Sequence, residues 1–217
     1  MRGFFGTRFA IRAVAPAALL CAGCASDVAT ADCSRADWAA IGLAAGKSGQ
    51  SGKEAVASMT ACADAGYPAD AEAYQSARAE GLKIYCTAEG GFAAGRSGGK
   101  YEGVCRGLDE ATFLTSFALG GKLFTLNEAA DEAIRNYESA SADLDRHRYL
   151  LRVAEKRYLK PSISNEDREH ERQDAEFRQR EIDRIERKLP EMVETIESSK
   201  AALDAYRIEL LSMGLEL

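Results

Sequence analysis

Six cysteines are the residues of this chain best suited to chemistry, and their surroundings divide them between two tasks. Cys21 and Cys24 lie in an amino-terminal stretch where Arg2, Arg8 and Arg12 precede an apolar run from Ala13 to Leu20. No acidic residue appears before Asp27. The run is too short for a membrane span, which needs about 20 apolar residues, and it has the form of an export signal. Leu20-Cys21-Ala22-Gly23-Cys24 then sets small residues ahead of a thiol. Small side chains fit the narrow pocket of a signal peptidase, and cleavage frees the Cys24 thiol to receive acyl chains. Residues 1–23 are therefore read as a lipoprotein signal peptide and Cys24 as the lipidation site, carrying chains such as palmitate. Cys21 departs from the usual pattern, because Leu is commonest at that place. Cleavage after Ala31, at the end of Ala29-Thr30-Ala31, is the alternative. Each buried methylene contributes about 0.8 kcal/mol, so several chains on one cysteine hold a protein on a bilayer. Ala25 rather than Asp follows Cys24, which by analogy with enterobacterial sorting favours the outer membrane, facing the periplasm.

Cys33, Cys62, Cys86 and Cys105 remain. An even number in an exported chain predicts two disulfides. Zinc is the rival use of four cysteines. Outside the signal there is no Cys-x-x-Cys pair, and no His precedes His147, so the short chelating loops of a zinc site are missing. Four cysteines allow three pairings. Cys33–Cys62 with Cys86–Cys105 closes local loops and is preferred, each closure stabilising the fold by roughly 3 kcal/mol.

Other chemistry is thin. Gly42-Leu43-Ala44-Ala45-Gly46-Lys47-Ser48 has the look of a phosphate-binding loop but one residue too few between its glycines, and no apolar strand precedes it. Gly98-Gly99-Lys100-Tyr101 places Tyr where Ser or Thr is required. The chain's two histidines, His147 and His170, fall in a periodic carboxy-terminal stretch, the first on its apolar seam and the second among solvated charges. Trp38, Tyr67, Tyr74, Tyr85, Phe92 and Tyr101 could stack on sugar rings, yet a domain this poor in Leu and Ile also needs them as its core, and core is the preferred reading. Asp37, Glu89, Glu102 or a histidine meeting in one pocket would be the mark of an enzyme. The net charge is −6, and loss of three arginines with the signal makes the mature chain more acidic still, which excludes a general nucleic-acid binder. No catalytic residue, cofactor or metal is expected.

The elements that position these residues fall into two halves. Of 19 glycines, 15 lie from Gly42 to Gly121, and only Gly214 follows. The boundary is set at 120–121, giving a Cys/Gly-rich domain over 24–120 and a helical hairpin over 121–217. In the first half, Ser34 with Asp37 and Ser51 with Glu54 resemble capping boxes. They open helices that Gly46 and Gly66 can close, with Pro68 beyond the second. Asp70 caps a third helix through Tyr74 to about Cys86, and Asp109 a fourth through Phe113 and Phe117. Between Gly90 and Gly107 the chain reads as turns, with one helical turn near Phe92. Trp38, Gly42 and Gly46 are spaced by four, as are Phe117 and Gly121, with Tyr74 and Gly81 a looser echo. The echo reads as helix packing rather than a binding groove, and is too irregular for a repeat array.

In the second half, Leu123, Ala130, Tyr137, Leu144, Leu151 and Tyr158 recur at sevens, accompanied by Leu126, Ala133, Ala140, His147 and Ala154. Ile182, Leu189, Ile196, Leu203, Leu210 and Leu217 do the same, accompanied by Ile185, Met192, Ser199, Tyr206 and Met213. Pro161 with Ser164 or Asn165 marks the turn near 160–165, and so short a link makes the two helices antiparallel. The first arm would span about 60 Å. Pro190 predicts a kink or restart. The charged run from Glu166 to Lys188 reads as a solvated helix face. The heptads also allow a homodimeric coiled coil between chains. The fold class is mainly α: a small Gly/Ala-rich, disulfide-stapled helical domain followed by a long antiparallel coiled-coil hairpin.

The spacing Cys33…Asp37-Trp38…Gly42…Gly46, then Cys62, Gly66, Tyr74, Gly81-Leu82 and Tyr85-Cys86-Thr87, closes with Gly91…Gly95-Arg96-Ser97-Gly98-Gly99…Tyr101…Gly103-Val104-Cys105. Over roughly Cys33 to Phe124 it resembles the bacterial family catalogued as domain of unknown function 2799, whose members look like small exported lipoproteins. Ala77 or Arg78 stands where many members place a Gly. The resemblance implies an envelope location and transfers no activity. The expected function is that of a non-catalytic envelope lipoprotein. Its contacts would be the membrane through Cys24 and an envelope protein or cell-wall partner through the helical arm. A glycan-binding module or an inhibitor of a wall enzyme is the alternative.

Overall fold

The structure, a computed structural model, describes residues 33–215. The export signal, Cys24, the Ala31 cleavage point and Leu217 lie outside the described residues. Within them run α1 (Trp38–Lys47), α2 (Lys53–Asp64), α3 (Ala71–Tyr85), α4 (Ala88–Arg96), α5 (Glu110–Tyr158) and α6 (Asn165–Ser212). There is no strand among the described residues. The predicted class holds, and the disulfides take the local pairing, Cys33–Cys62 and Cys86–Cys105.

The caps differ from expectation in instructive ways. Asp37, not Ser34, caps α1 by accepting from the Ala40 N–H at 3.0 Å. Asp70, Asp109 and Ser164 cap α3, α5 and α6 as predicted. The box at Ser51 and Glu54 does not form: α2 begins on Gly52 at φ 82°, and no side chain bonds to its first turn. The stretch read as turns around Phe92 is instead a nine-residue helix, α4, capped by Thr87 through the Gly90 N–H at 3.1 Å. The boundary drawn at 120–121 falls inside α5, which runs unbroken from Glu110 to Tyr158 and belongs to both halves.

The glycines that argued against helix are what lets helices touch. A Cβ placed on Gly42 or Gly46 of α1 would lie 2.2 Å from a backbone oxygen of α3, that of Tyr74 or Arg78 respectively. One on Gly81 of α3 would meet the Leu43 oxygen at 2.5 Å. The same crossing recurs between α4 and α5. There, Gly91 faces the Phe113 oxygen (2.3 Å), Gly95 that of Phe117 (2.1 Å), and Gly120 that of Phe92 (2.2 Å). Gly42-Leu43-Ala44-Ala45-Gly46-Lys47-Ser48-Gly49 and Gly91-Phe92-Ala93-Ala94-Gly95-Arg96-Ser97-Gly98 differ only at Leu/Phe and Lys/Arg. Gly49 and Gly98, both at positive φ, lie under the rings of Tyr85 and Phe124. The weak echo is therefore a repeat of two units: α1 with α3, and α4 with α5. Each has its own disulfide tying the segment before the first helix to the connection between the two. The phosphate-loop lookalike is the first copy of this crossing motif.

The hairpin follows the heptads. The 49 residues of α5 span about 74 Å. Leu123 and Ala130 cluster with Phe92, Leu203, Tyr206 and Leu210, while Leu144 packs with Ile182 and Ile185 further out. The seam frays at Tyr158 and Met213, which are exposed. Arg168 ties the turn by donating to the carbonyls of Tyr158 and Lys160. The Glu166–Lys188 run is largely solvated as expected. Hydrogen bonds from Arg172 and then Gln173 hold the Glu169 carboxyl down at about 2. A pair so exposed contributes little to stability.

No restart occurs at Pro190; α6 continues through it. Pro190 is exposed, so the Glu186 carbonyl it leaves without a donor can turn to water, and Leu189 keeps that turn packed against the Leu144 cluster. Pro190→Ala should restore the ladder and raise the stability of the fold by about 1–3 kcal/mol, read as a higher urea midpoint at unchanged slope.

Candidate functional site

The two units meet at a cleft of about 690 Å³. The end of α1 and the turn after it supply Lys47, Ser48 and Gln50, the end of α3 supplies Tyr85, and the opening of α4 supplies Thr87 and Glu89. Lys100 and Glu102 close it from the loop beyond α4. Glu89 and Glu102 thus do come together, in the company of two lysines. Asp37 is spent on its cap, and neither histidine is near. Both carboxylates and both lysines are exposed, so the cleft has the shape and polarity to hold a polar ligand but no dry interior to adjust a proton.

The six aromatic candidates mostly face inward. Trp38 and Tyr74 are buried in one cluster with Ala45 and Cys62, and Phe92 is buried against the base of the hairpin. Tyr85 and Tyr101 pack on Phe113 with ring centroids 4.9 and 5.0 Å away. The Tyr101 hydroxyl donates to Glu110 Oε1 at 2.5 Å and accepts from the Cys105 N–H at 3.0 Å. Burial, then the bond to Glu110, pushes this phenol above its usual range. Tyr67 is the ring left exposed. Core use accounts for the others, and no sugar-stacking face is assembled from them.

His147 sits half-buried on the hairpin seam, its ring 6.2 Å from that of Phe177. Its Nδ1 has no hydrogen-bond partner among the described residues. His170 is exposed. Among the described residues no group of His, Cys, Asp and Glu is arranged to hold a metal ion. None of the described helices is long and apolar enough to cross a membrane.

Sequence reasoning missed Lys47 and Lys100 as cleft residues, and it missed the polar pair Tyr74 and Arg78. Aligning the two crossing motifs would have exposed both, because the repeat puts Lys47 at the seam between units and sets Tyr74 and Arg78 against Phe113 and Phe117.

Two glycine-packed helix pairs, each closed by a disulfide, with a hairpin growing from the second, define a compact all-helical module. Residues 37–122 match the model of the family described as "Protein of unknown function (DUF2799)". That span starts on the α1 cap and ends just past the second crossing, so it covers both units and leaves most of the hairpin outside. The resemblance carried by the glycine, tyrosine and cysteine spacing is thereby shown for this segment. Neither curated proteins nor solved structures gave a match.

Proposed function

We propose that the protein is a non-catalytic lipoprotein of the cell envelope. Its two-unit domain would lie near the membrane, anchored through Cys24, and the hairpin would reach outward as an interaction arm. The observation that carries this reading is the division of the cysteines. All four in the described residues are paired in disulfides, as suits an oxidising compartment, while Cys24 follows an export-type signal. Two features support the arm. It is long and stiffly packed, and its outer part exposes Tyr149, Leu159 and Phe177. Apolar side chains so far from the domain core are suited to a protein partner in the envelope or to a second copy of the chain.

Cells grown with labelled palmitate should label the wild-type chain and not Cys24→Ala. Label persisting on that variant would refute the anchor.

A further inference from the structure

The first turn of α2 has no side-chain cap. Its cap residue is Gly52, which has no side-chain oxygen, and its first intrahelical bond is the one from Val56 to Gly52. The N–H groups of Lys53, Glu54 and Ala55 therefore have no partner among the described residues, at the positive end of the helix dipole. A cleft of about 480 Å³ lies against this turn, lined by Ser51, Gly52 and Lys53 on one side and by Tyr74, Gln75 and Arg78 on the other.

A second observation is independent of the helix end. Tyr74 is 5% exposed, and its hydroxyl has no hydrogen-bond partner among the described residues; nor has the buried Nε of Arg78. Both converge on the α2 cap: a point one carbon out from Gly52 lies 3.6 Å from Arg78 Nε and 3.8 Å from Tyr74 Oη. A buried donor without an acceptor is costly. Arg78 is already held at the cleft by the bond from its Nη2 to the Gln50 carbonyl, and its Nε lies covered beside the α2 cap. Lys53 adds a second cation at the rim, and the carboxylate of the first turn, that of exposed Glu54, does not line the cleft.

The repeat shows that packing does not need these polar atoms. Phe113 and Phe117 occupy the places of Tyr74 and Arg78 in the second unit, at the same glycine crossing, and Phe113 is fully buried. The hydroxyl and the guanidinium are additions of the first unit alone.

We propose that this cleft binds a phosphate group, free or carried on a lipid headgroup. The Lys53–Ala55 amides, Arg78 Nε and the Tyr74 hydroxyl would donate to its oxygens, with Lys53 supplying further charge. The site goes beyond the anchoring role proposed above and does not depend on it.

The test uses the oxidised chain carrying Cys24→Ala, so that no acyl chain can bind lipid. Amide signals of Lys53, Glu54 and Ala55 are followed by NMR during titration with inorganic phosphate at constant ionic strength. They are followed separately with phosphatidylglycerol vesicles, against vesicles of a phosphate-free galactolipid. Saturable movement with phosphate alone assigns the free ion, and with the phospholipid alone the headgroup. Movement with both supports a phosphate site indifferent to its carrier. Arg78→Gln should weaken binding at least about tenfold and Tyr74→Phe by several-fold. Tyr74→Phe places in the first unit the residue the second already tolerates, and exposed Lys53→Gln, which leaves the fold untouched, should weaken binding as well. No saturable movement with either probe would overturn the proposal. So would affinity unchanged in all three variants while their spectra remain those of the folded chain.

Discussion

Gly95→Val will force α4 away from α5 and destabilise the fold by more than the about 1–3 kcal/mol usual for an overpacked core. In most cores the obstruction is another side chain, which can rotate. Here a Cβ would stand 2.1 Å from the Phe117 carbonyl oxygen and 2.7 Å from the Gly121 nitrogen, both backbone atoms of a helix that cannot yield locally. Relief requires moving the whole axis, which opens the cluster of Cys86, Cys105 and Phe113 at one end and that of Phe92 and Leu123 at the other. Gly46→Val should act alike on the first unit, where the Arg78 oxygen is 2.2 Å away. Gly121→Ala is the internal control. Nothing lies within 4 Å of a Cβ at that position, so the substitution should stabilise α5 by about 1 kcal/mol through helix propensity. Urea unfolding of the three variants checks the ordering, and a cost below about 1 kcal/mol for Gly95→Val would mean the helices are not in backbone contact.

That crossing also explains which features could be read from residues alone. The hairpin was legible because heptads such as Leu123, Ala130 and Leu144 report a helix face directly, and the disulfide pairing because local loops are the simplest to close. The α4 helix was not. Gly90, Gly91 and Gly95 each lower intrinsic helix propensity by about 1 kcal/mol, and local preference therefore points to turns. What outweighs it is tertiary: those glycines let α4 reach the α5 backbone, and the contact forms only once both helices exist. The second copy of the crossing motif was in plain view at 91–98, yet its meaning depends on recognising that 42–49 is a helix rather than a phosphate loop. The uncapped start of α2 was hidden for a related reason. Ser51 and Glu54 satisfy a capping pattern, but Gly52 at φ 82° turns the chain into the helix one residue later, and neither side chain makes a capping bond. The Tyr74 and Arg78 pair carries no motif at all. Its polarity becomes informative only beside Phe113 and Phe117.

Removing the Cys86–Cys105 bridge will cost more than removing Cys33–Cys62, which reverses the order of their loop lengths. On chain entropy alone, the separation of 29 residues between Cys33 and Cys62 stabilises by about 3.6 kcal/mol, and the 19 between Cys86 and Cys105 by about 3.2 kcal/mol. Packing changes that order. Cys105 is 0% and Cys86 5% exposed, both in the cluster with Leu82 and Phe113; of the other pair Cys62 is buried, but Cys33 is only half-buried at the edge of the described fold. Paired alanine substitution at 86 and 105 deletes two buried sulfurs and leaves a void worth about 1 kcal/mol beside Phe113. It also loosens the loop whose Cys105 N–H is held by Tyr101. The expected totals are about 4–5 kcal/mol for Cys86→Ala/Cys105→Ala against about 3.5–4 for Cys33→Ala/Cys62→Ala. Trp38, the chain's one tryptophan, lies in the cluster with Cys62 and reports on the first unit, while far-ultraviolet dichroism is dominated by the hairpin. In the Cys33/Cys62 variant, tryptophan fluorescence should therefore change at lower urea than the dichroism, because that unit joins the rest through few contacts beyond the α3–α4 junction. Coincident transitions would show one cooperative body. A larger loss from the Cys33–Cys62 pair would mean that the bridges act through the unfolded chain alone, with no contribution from the core around Phe113.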